Sequence, residues 1–170
     1  MTVDHRALIL TARPDDAALA KFEALRRAHF PPDRNVVPAH ISMFHQLPGS
    51  EYDAVVERLK FTARHVVAPH VEVAGVRSLG RGVALTLLSP TLEALRDDLA
   101  EAWAPVLIAQ DRQGWRPHVT VQNKVDNAVA RTTLALLAES FVPWSCRITG
   151  IDLWRYLDGP WEHLRTVGLR

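Results

Sequence analysis

Histidine, an apolar residue, then a hydroxyl: the chain carries this triplet twice, as His40-Ile41-Ser42 and His118-Val119-Thr120. Both triplets sit in short runs that read as β-strands, Val37 to Phe44 and Trp115 to Gln122. Side chains of a strand alternate between its faces, so His40 and Ser42 share one side, and Ile41 and Met43 take the other. In the second run His118, Thr120, Gln122 and Lys124 share a face, opposed by Val119 and Val121. Two imidazoles flanking one substrate suit acid and base work near neutral pH. A neutral ring takes a proton from the nucleophile, and a protonated one supplies the leaving group. Phosphoryl transfer to water needs this proton traffic together with stabilisation of charge on the non-bridging oxygens. The hydroxyls of Ser42 and Thr120 are placed to donate to those oxygens. Neither a metal nor another cofactor is required.

A single H-x-[ST] carries little information. Its weight here comes from an internal repeat. His118 follows His40 by 78 positions, Pro90 follows Pro14 by 76, and Gly150 follows Gly75 by 75. Around the last pair, Val73-Ala74-Gly75-Val76 parallels Ile148-Thr149-Gly150-Ile151. Such self-similarity predicts a duplicated β-α-β-α-β unit, repeat 1 about 1–80 and repeat 2 about 81–157, followed by a closing strand about 161–169. The expected fold class is α+β: two pseudo-symmetric lobes, mainly antiparallel sheets forming a central groove, within a single bilobal domain spanning 1–170. A rough two-fold axis then sets the two histidine strands face to face.

The elements that must position them are legible in outline. Ala7 to Leu10 reads as a buried strand. Pro14 suits a first helical position, with Asp15 and Asp16 at the helix N-terminus and Leu19, Phe22 and Leu25 as the apolar stripe. Ser50 and Asp53 resemble a capping box ahead of Val55, Val56, Leu59, Ala63 and Val66. Val71 to Val76 and Val83 to Leu88 read as strands joined by the turn Gly80-Arg81-Gly82. Ser89-Pro90 opens a helix bearing Leu92, Leu95 and Leu99, and Asp111 to Gly114 reads as a polar loop. Asp126 is the expected cap of a helix bearing Ala130, Leu134 and Leu137. Two strands, Ser145 to Tyr156 and Trp161 to Leu169, follow around the turn Asp158-Gly159-Pro160.

Further candidates fall around the two triplets. Arg116 could hold a phosphate in a bidentate fork, where its ordinary alternative is a surface salt bridge. Lys124 could reach a phosphate, where its alternative is a solvated strand end. Phe44, on the His40 face, could stack a base; core packing is its alternative. Gln122 and Trp115 are placed to line the groove, with Trp154 and Tyr156 at its mouth. His45 has the wrong parity for the site. Composition sets outer limits: 170 residues, 48% hydrophobic and 23% charged, are ordinary for a soluble domain. A net charge of +1 supplies no strong field for long nucleic acid and favours a small or terminal substrate. The single Cys146 agrees with a reducing cytoplasm. No apolar run is long enough to span a membrane, and Asp4, His5 and Arg6 stand where a signal peptide would begin its apolar core. A cytoplasmic monomer is expected.

The paired motifs resemble those of the two-histidine (2H) phosphoesterase superfamily. They are most similar to its bacterial branch, named for 2′-5′ RNA ligase activity and acting as RNA 2′,3′-cyclic phosphodiesterases. Arg116-Pro117-His118-Val119-Thr120 is the more typical motif. In the first, Ser42 replaces Thr, and Met43-Phe44 stands where Leu-x-Phe is common; that departure bears on substrate preference. The resemblance implies opening of a 2′,3′-cyclic phosphate, at an RNA end or in a small cyclic nucleotide, to a 2′-phosphomonoester. It assigns His40 as acid toward the leaving 3′ oxygen and His118 as the base that activates water. The same residues fit 2′-5′ ligation, 2′-5′ oligonucleotide cleavage and opening of ADP-ribose cyclic phosphate. From other classes come a nucleotide or RNA-end-binding module without turnover, and a metal site of His40, His45 and His118. The latter lacks the compact spacing of known zinc sites.

Overall fold

The computed structural model describes residues 2–170. The first half of the chain runs through β1 (Leu8–Pro14), α1 (Asp16–His29), β2 (Ile41–Leu47), α2 (Tyr52–Ala63) and β3 (His70–Ser78). The second repeats the order with β4 (Val83–Leu88), α3 (Pro90–Ala102), a single added turn α4 (Ala109–Arg112), β5 (His118–Gln122), α5 (Asn127–Ser140) and β6 (Trp144–Tyr156). A last strand, β7 (Trp161–Gly168), closes the chain. The element order thus repeats the β-α-β-α-β unit read from the sequence.

Every strand pairing is antiparallel, in the order β2-β1-β6-β3-β4-β5, with β7 on β6. The third strand of each repeat crosses over: β6 lies against β1, and β3 lies against β4. The two exchanged strands also pair with one another, His70–Val73 against Trp144–Arg147. The motif strands β2 and β5 consequently stand at opposite ends of the order. They meet nonetheless, because the twisted sheet curls on itself. The Trp115 indole nitrogen donates to the Ser42 carbonyl at 2.8 Å, and Arg26 reaches from α1 to both the Val37 and Thr120 carbonyls, at 3.2 and 2.8 Å.

Helices support the sheet from behind, and they do so across the repeat. α1 packs under β5 as well as β1, while α5 packs on β3 and β4. The buried stripe of α1 is Ala18, Phe22 and Arg26, with Leu19 and Leu25 partly covered. Asp15 caps this helix, its carboxylate accepting the Ala18 amide at 2.9 Å. Pro14, expected to open the helix, instead ends β1 opposite Ile148. Ser89 caps α3 by accepting the Leu92 amide at 3.2 Å, and Pro90 follows at the first helical position. The capping box expected at Ser50 does not form: Gly49–Glu51 is a 3₁₀ turn, and α2 starts at Tyr52 without a side-chain cap. Asp126 stands at the start of α5 without a side-chain cap bond. The polar loop expected from Asp111 is α4 in part, and Asp111 itself is buried. No described helix is long and apolar enough to cross a membrane.

The β3–β4 turn shows what the close packing of the groove's end requires. Gly80 adopts φ +80°, where a side chain is strained. A Cβ on Gly82 would fall onto the Gln122 carbonyl and within 2.7 Å of the Asn123 Cα, at the end of β5. Gly82→Ala is therefore expected to cost about 1–3 kcal/mol as an overpacking change. Urea denaturation checks this, and an unchanged midpoint would mean that β5 yields freely there.

Candidate active site

Alternation holds through the first half of each motif strand. Ile41 and Met43 are fully buried and Ser42 half-buried; Val119 and Val121 are fully buried and Thr120 half-buried. His40 and His118 are half-buried on the same side as their hydroxyls. Each histidine is held by the same local device. His40 Nδ1–H donates to the carbonyl of Pro38 at 2.7 Å, and His118 Nδ1–H to that of Arg116 at 2.9 Å. A carbonyl can only accept, so the proton sits on Nδ1 and Nε2 is left as the acceptor of each ring.

Burial is the main reason that both rings bind protons poorly. It drives His40 down to about 4, against the raising effect of the Pro38 carbonyl, and the charges of Arg26, His118 and His45 lower it further. His118 is also lowered, again chiefly by burial, with the Arg116 carbonyl opposing and the charges of Arg77 and His45 adding. The two motif histidines and His45 thus share one electrostatic neighbourhood. The aromatic wall beside His40 comes from the β6–β7 hairpin: the Trp161 ring lies 4.6 Å from the His40 ring, and Trp154 lies 6.0 Å from Trp161. A cavity of about 140 Å³ opens there, between Thr11, Arg13, His40, Asp152 and Trp154.

Beyond the hydroxyls, alternation fails in both strands at the same place. Leu10 pairs with Phe44 while the next residue, Thr11, pairs with Ser42, so Met43 is an extra residue in β2. Val83 pairs with Gln122 while Ala84 pairs with Thr120, so Val121 is extra in β5. Each bulge turns the following residue inward. Phe44, expected to face the groove and stack a base, is fully buried with its ring edge-on to Trp103 at 5.2 Å. Gln122, expected as a groove-lining residue, is buried and donates to the Thr133 hydroxyl at 2.8 Å; its Oε1 is left without a partner. The shared-face argument for Lys124 ends at the bulge too. Lys124 is exposed in the left-handed region at φ +63°. His45, set on the wrong face by strict alternation, is instead exposed.

Of the remaining candidates, Arg116 is exposed, and its carbonyl is what holds His118. Trp115 is half-buried and uses its indole to join β5's entry to β2, so it braces the strands. Trp154 bonds the Thr11 hydroxyl at 2.9 Å, and Tyr156 is exposed at the end of β6. Cys146 is buried with its thiol pushed up to about 11, chiefly by burial, which removes it as a nucleophile. Among the described residues, no three His, Cys, Asp or Glu side chains are grouped closely enough to hold a metal ion.

Sequence reasoning missed two buried arginines that bond the motif strands. Arg26 bonds the Asn35 amide oxygen through Nε at 3.1 Å and Nη2 at 3.0 Å, besides the Thr120 and Val37 carbonyls. Arg96 bonds the Met43 and Asp111 carbonyls at 3.2 and 2.6 Å, its guanidinium lying over Phe44. Each arginine sits on a helix of one repeat and clips a motif strand of the other. Their signal was their position: Arg26 follows Phe22 by four residues and Arg96 follows Leu92 by four, so both fall on the apolar stripe.

A model of the 2′-5′ RNA ligase superfamily matches residues 14–160. A search of curated protein sequences finds no match. Among solved structures, a protein described as a phosphoesterase superposes with a TM-score of 0.62 at 18% identity, covering 98% of this chain and 99% of that one. Escherichia coli LigT in complex with 3′-AMP gives 0.58 at 16% identity, covering 98% and 99%. A Thermus thermophilus protein, TT0787, gives 0.57 at 16% identity, covering 96% and 98%. At these identities the likeness is one of fold.

Proposed function

The chain belongs to the 2′-5′ RNA ligase superfamily, and from that membership we propose that it hydrolyses a 2′,3′-cyclic phosphate, at an RNA end or in a small nucleotide, to a 2′-phosphomonoester. The observation that carries this reading is the matched pair of imidazoles, each with Nδ1–H tied to the carbonyl two residues before it and Nε2 left over. One Nε2 takes the proton of a water attacking phosphorus; the other returns a proton to the leaving 3′ oxygen. In the hydrolytic direction His118 is the base and His40 the acid. The negative charge of the bound diester lets His40 acquire a proton that burial disfavours. The Ser42 and Thr120 hydroxyls donate to the non-bridging oxygens, and the buried Arg26 charge behind the groove favours the anion. Escherichia coli LigT, which shares this fold, has been solved in complex with 3′-AMP and with phosphate, and this supports a nucleotide as the ligand. The partners follow as RNA termini or small cyclic nucleotides.

The test is incubation with adenosine 2′,3′-cyclic phosphate across pH, with the products resolved by ³¹P NMR. The 2′-monophosphate is expected. The profile of kcat/KM should be a bell, because one ring must be neutral and the other protonated. Both free rings are lowered, His40 to about 4. Raising pH strips His40, the acid, of its proton, and lowering pH protonates His118, the base; since both rings bind protons more weakly than an ordinary imidazole, the maximum should lie below about pH 6.5, the usual imidazole value. A flat profile or a maximum above neutrality would remove the two-imidazole scheme. Binding without turnover would favour the non-catalytic module.

A further inference from the structure

His45 follows the motif of β2 and is brought to the groove by two irregularities in the strand. The first bulge, at Met43, turns Phe44 inward. The second lies between Phe44 and Leu47, which face Leu10 and Leu8, so β2 spends one extra residue there. His45 and Gln46 are both exposed in that stretch. The bulge leaves their amides without strand partners, and the carboxylate of Asp111 on α4 takes them. The His45 amide donates to both oxygens at 3.0 and 2.9 Å, and the Gln46 amide to one at 3.1 Å. The same carboxylate receives the His45 ring at Nδ1, at 2.8 Å. Burial alone would raise Asp111, but the bonds from the His45 ring and the two amides outweigh it and hold the carboxyl below its usual range. Arg96 fixes the assembly by bonding the Met43 and Asp111 carbonyls.

An ionised carboxylate accepts, so the His45 ring carries its proton on Nδ1. Its neutral form therefore presents Nε2 as an acceptor, on a side chain 41% exposed. The repeat supplies the contrast. The counterpart of His45, 78 positions on, is Asn123, whose side chain is used locally to accept the Lys124 amide at 2.9 Å. The groove is symmetric at its two histidine–hydroxyl pairs and asymmetric one step beyond them.

An acceptor needs a donor on the ligand. The phosphate offers none near neutral pH, and both hydroxyls of a terminal ribose are esterified in a 2′,3′-cyclic phosphate. The nearest free sugar hydroxyl of such an RNA end is the 2′-hydroxyl of the preceding nucleotide. We propose that His45, oriented by Asp111, accepts a hydrogen bond from that hydroxyl and so selects RNA ends over single nucleotides and over DNA. The inference rests on the cyclic-phosphate reading given above. It makes His45 a substrate-binding residue and Asp111 a positioning residue.

The test uses two dinucleotides ending in a 2′,3′-cyclic phosphate, identical except that one has a 2′-deoxy penultimate sugar. Wild type should hydrolyse the all-ribo form with a KM roughly five- to tenfold lower at similar kcat, the worth of one hydrogen bond. His45→Asn keeps an amide where Nδ1 meets Asp111 and should erase the difference. His45→Gln places its amide where Nε2 lies and should keep part of it. Equal KM values for the two dinucleotides in wild type overturn the inference, as does a preference that survives in His45→Asn. A preference rescued by Asn and lost in Gln would make the ring purely structural and also overturn it. Absence of turnover on every cyclic substrate, by contrast, would be failure of the parent reading; direct binding of the two dinucleotides by calorimetry then decides His45 by the same ribo-to-deoxy ratio.

Discussion

Alanine at His40 or at His118 is expected to lower kcat/KM for a 2′,3′-cyclic nucleotide by about 10²–10⁴-fold, the usual weight of a general acid or base. The losses should not add in the double variant, because one ring is of little use once the other cannot complete the proton transfer. The fold should survive. Both rings are only half-buried, each makes one local bond to a carbonyl two residues away, and their strand neighbours Ile41 and Val119 hold the core. Initial rates by ³¹P NMR, with circular dichroism of each variant, check the expectation. A loss of only a few-fold in a folded variant would take that histidine out of the chemistry.

Arg26→Met should be the most damaging change to stability. Methionine replaces the stem of the side chain but none of its donors, so the Thr120 and Val37 carbonyls and the Asn35 amide oxygen lose four hydrogen bonds in a buried setting. Leaving such acceptors unsatisfied costs about 3 kcal/mol or more. For a chain of this size that corresponds to a fall in Tm of roughly 6–12 °C. The neighbouring and exposed Arg27, changed in the same way, should move stability by no more than about 0.5 kcal/mol. Removing the Arg26 charge also removes one of the influences that lower His40, so the His40 titration, followed by NMR, should move upward. An Arg26→Met protein that melts like wild type would show that the two strand ends hold together without the clip.

How far the sequence could be read depended on where regular strand geometry held. His40, Ser42, His118 and Thr120 obey alternation, and the offset of 78 positions was enough to pair them. Phe44 and Gln122 do not, for one shared reason: a single extra residue after each hydroxyl. In β2 the trace of it was visible, since Met43-Phe44 puts two apolar residues side by side where an alternating strand would allow one. In β5, Val121-Gln122 leaves no such trace, and a glutamine turned into the core against Thr133 could not have been foreseen. Asp111 was hidden differently. A polar residue beside Arg112, Gln113 and Gly114 looks like loop, and only the unpaired amides of a bulge 65 residues earlier explain why it is buried. Arg26 and Arg96 broke the rule that helix arginines face water because each serves a carbonyl in the other half of the chain as well as one in its own.

The interchange of third strands has a bearing on ancestry. A polypeptide consisting of one repeat alone would hold two strands with a vacant edge, and a third strand with nothing at home to lie against. Two identical copies would solve each other's difficulty by trading that strand, and the result would be a homodimer with one histidine–hydroxyl triplet from each subunit across a common furrow. Within a single chain the two halves need no longer match, and they differ at positions 45 and 123, a histidine in one and an asparagine in the other.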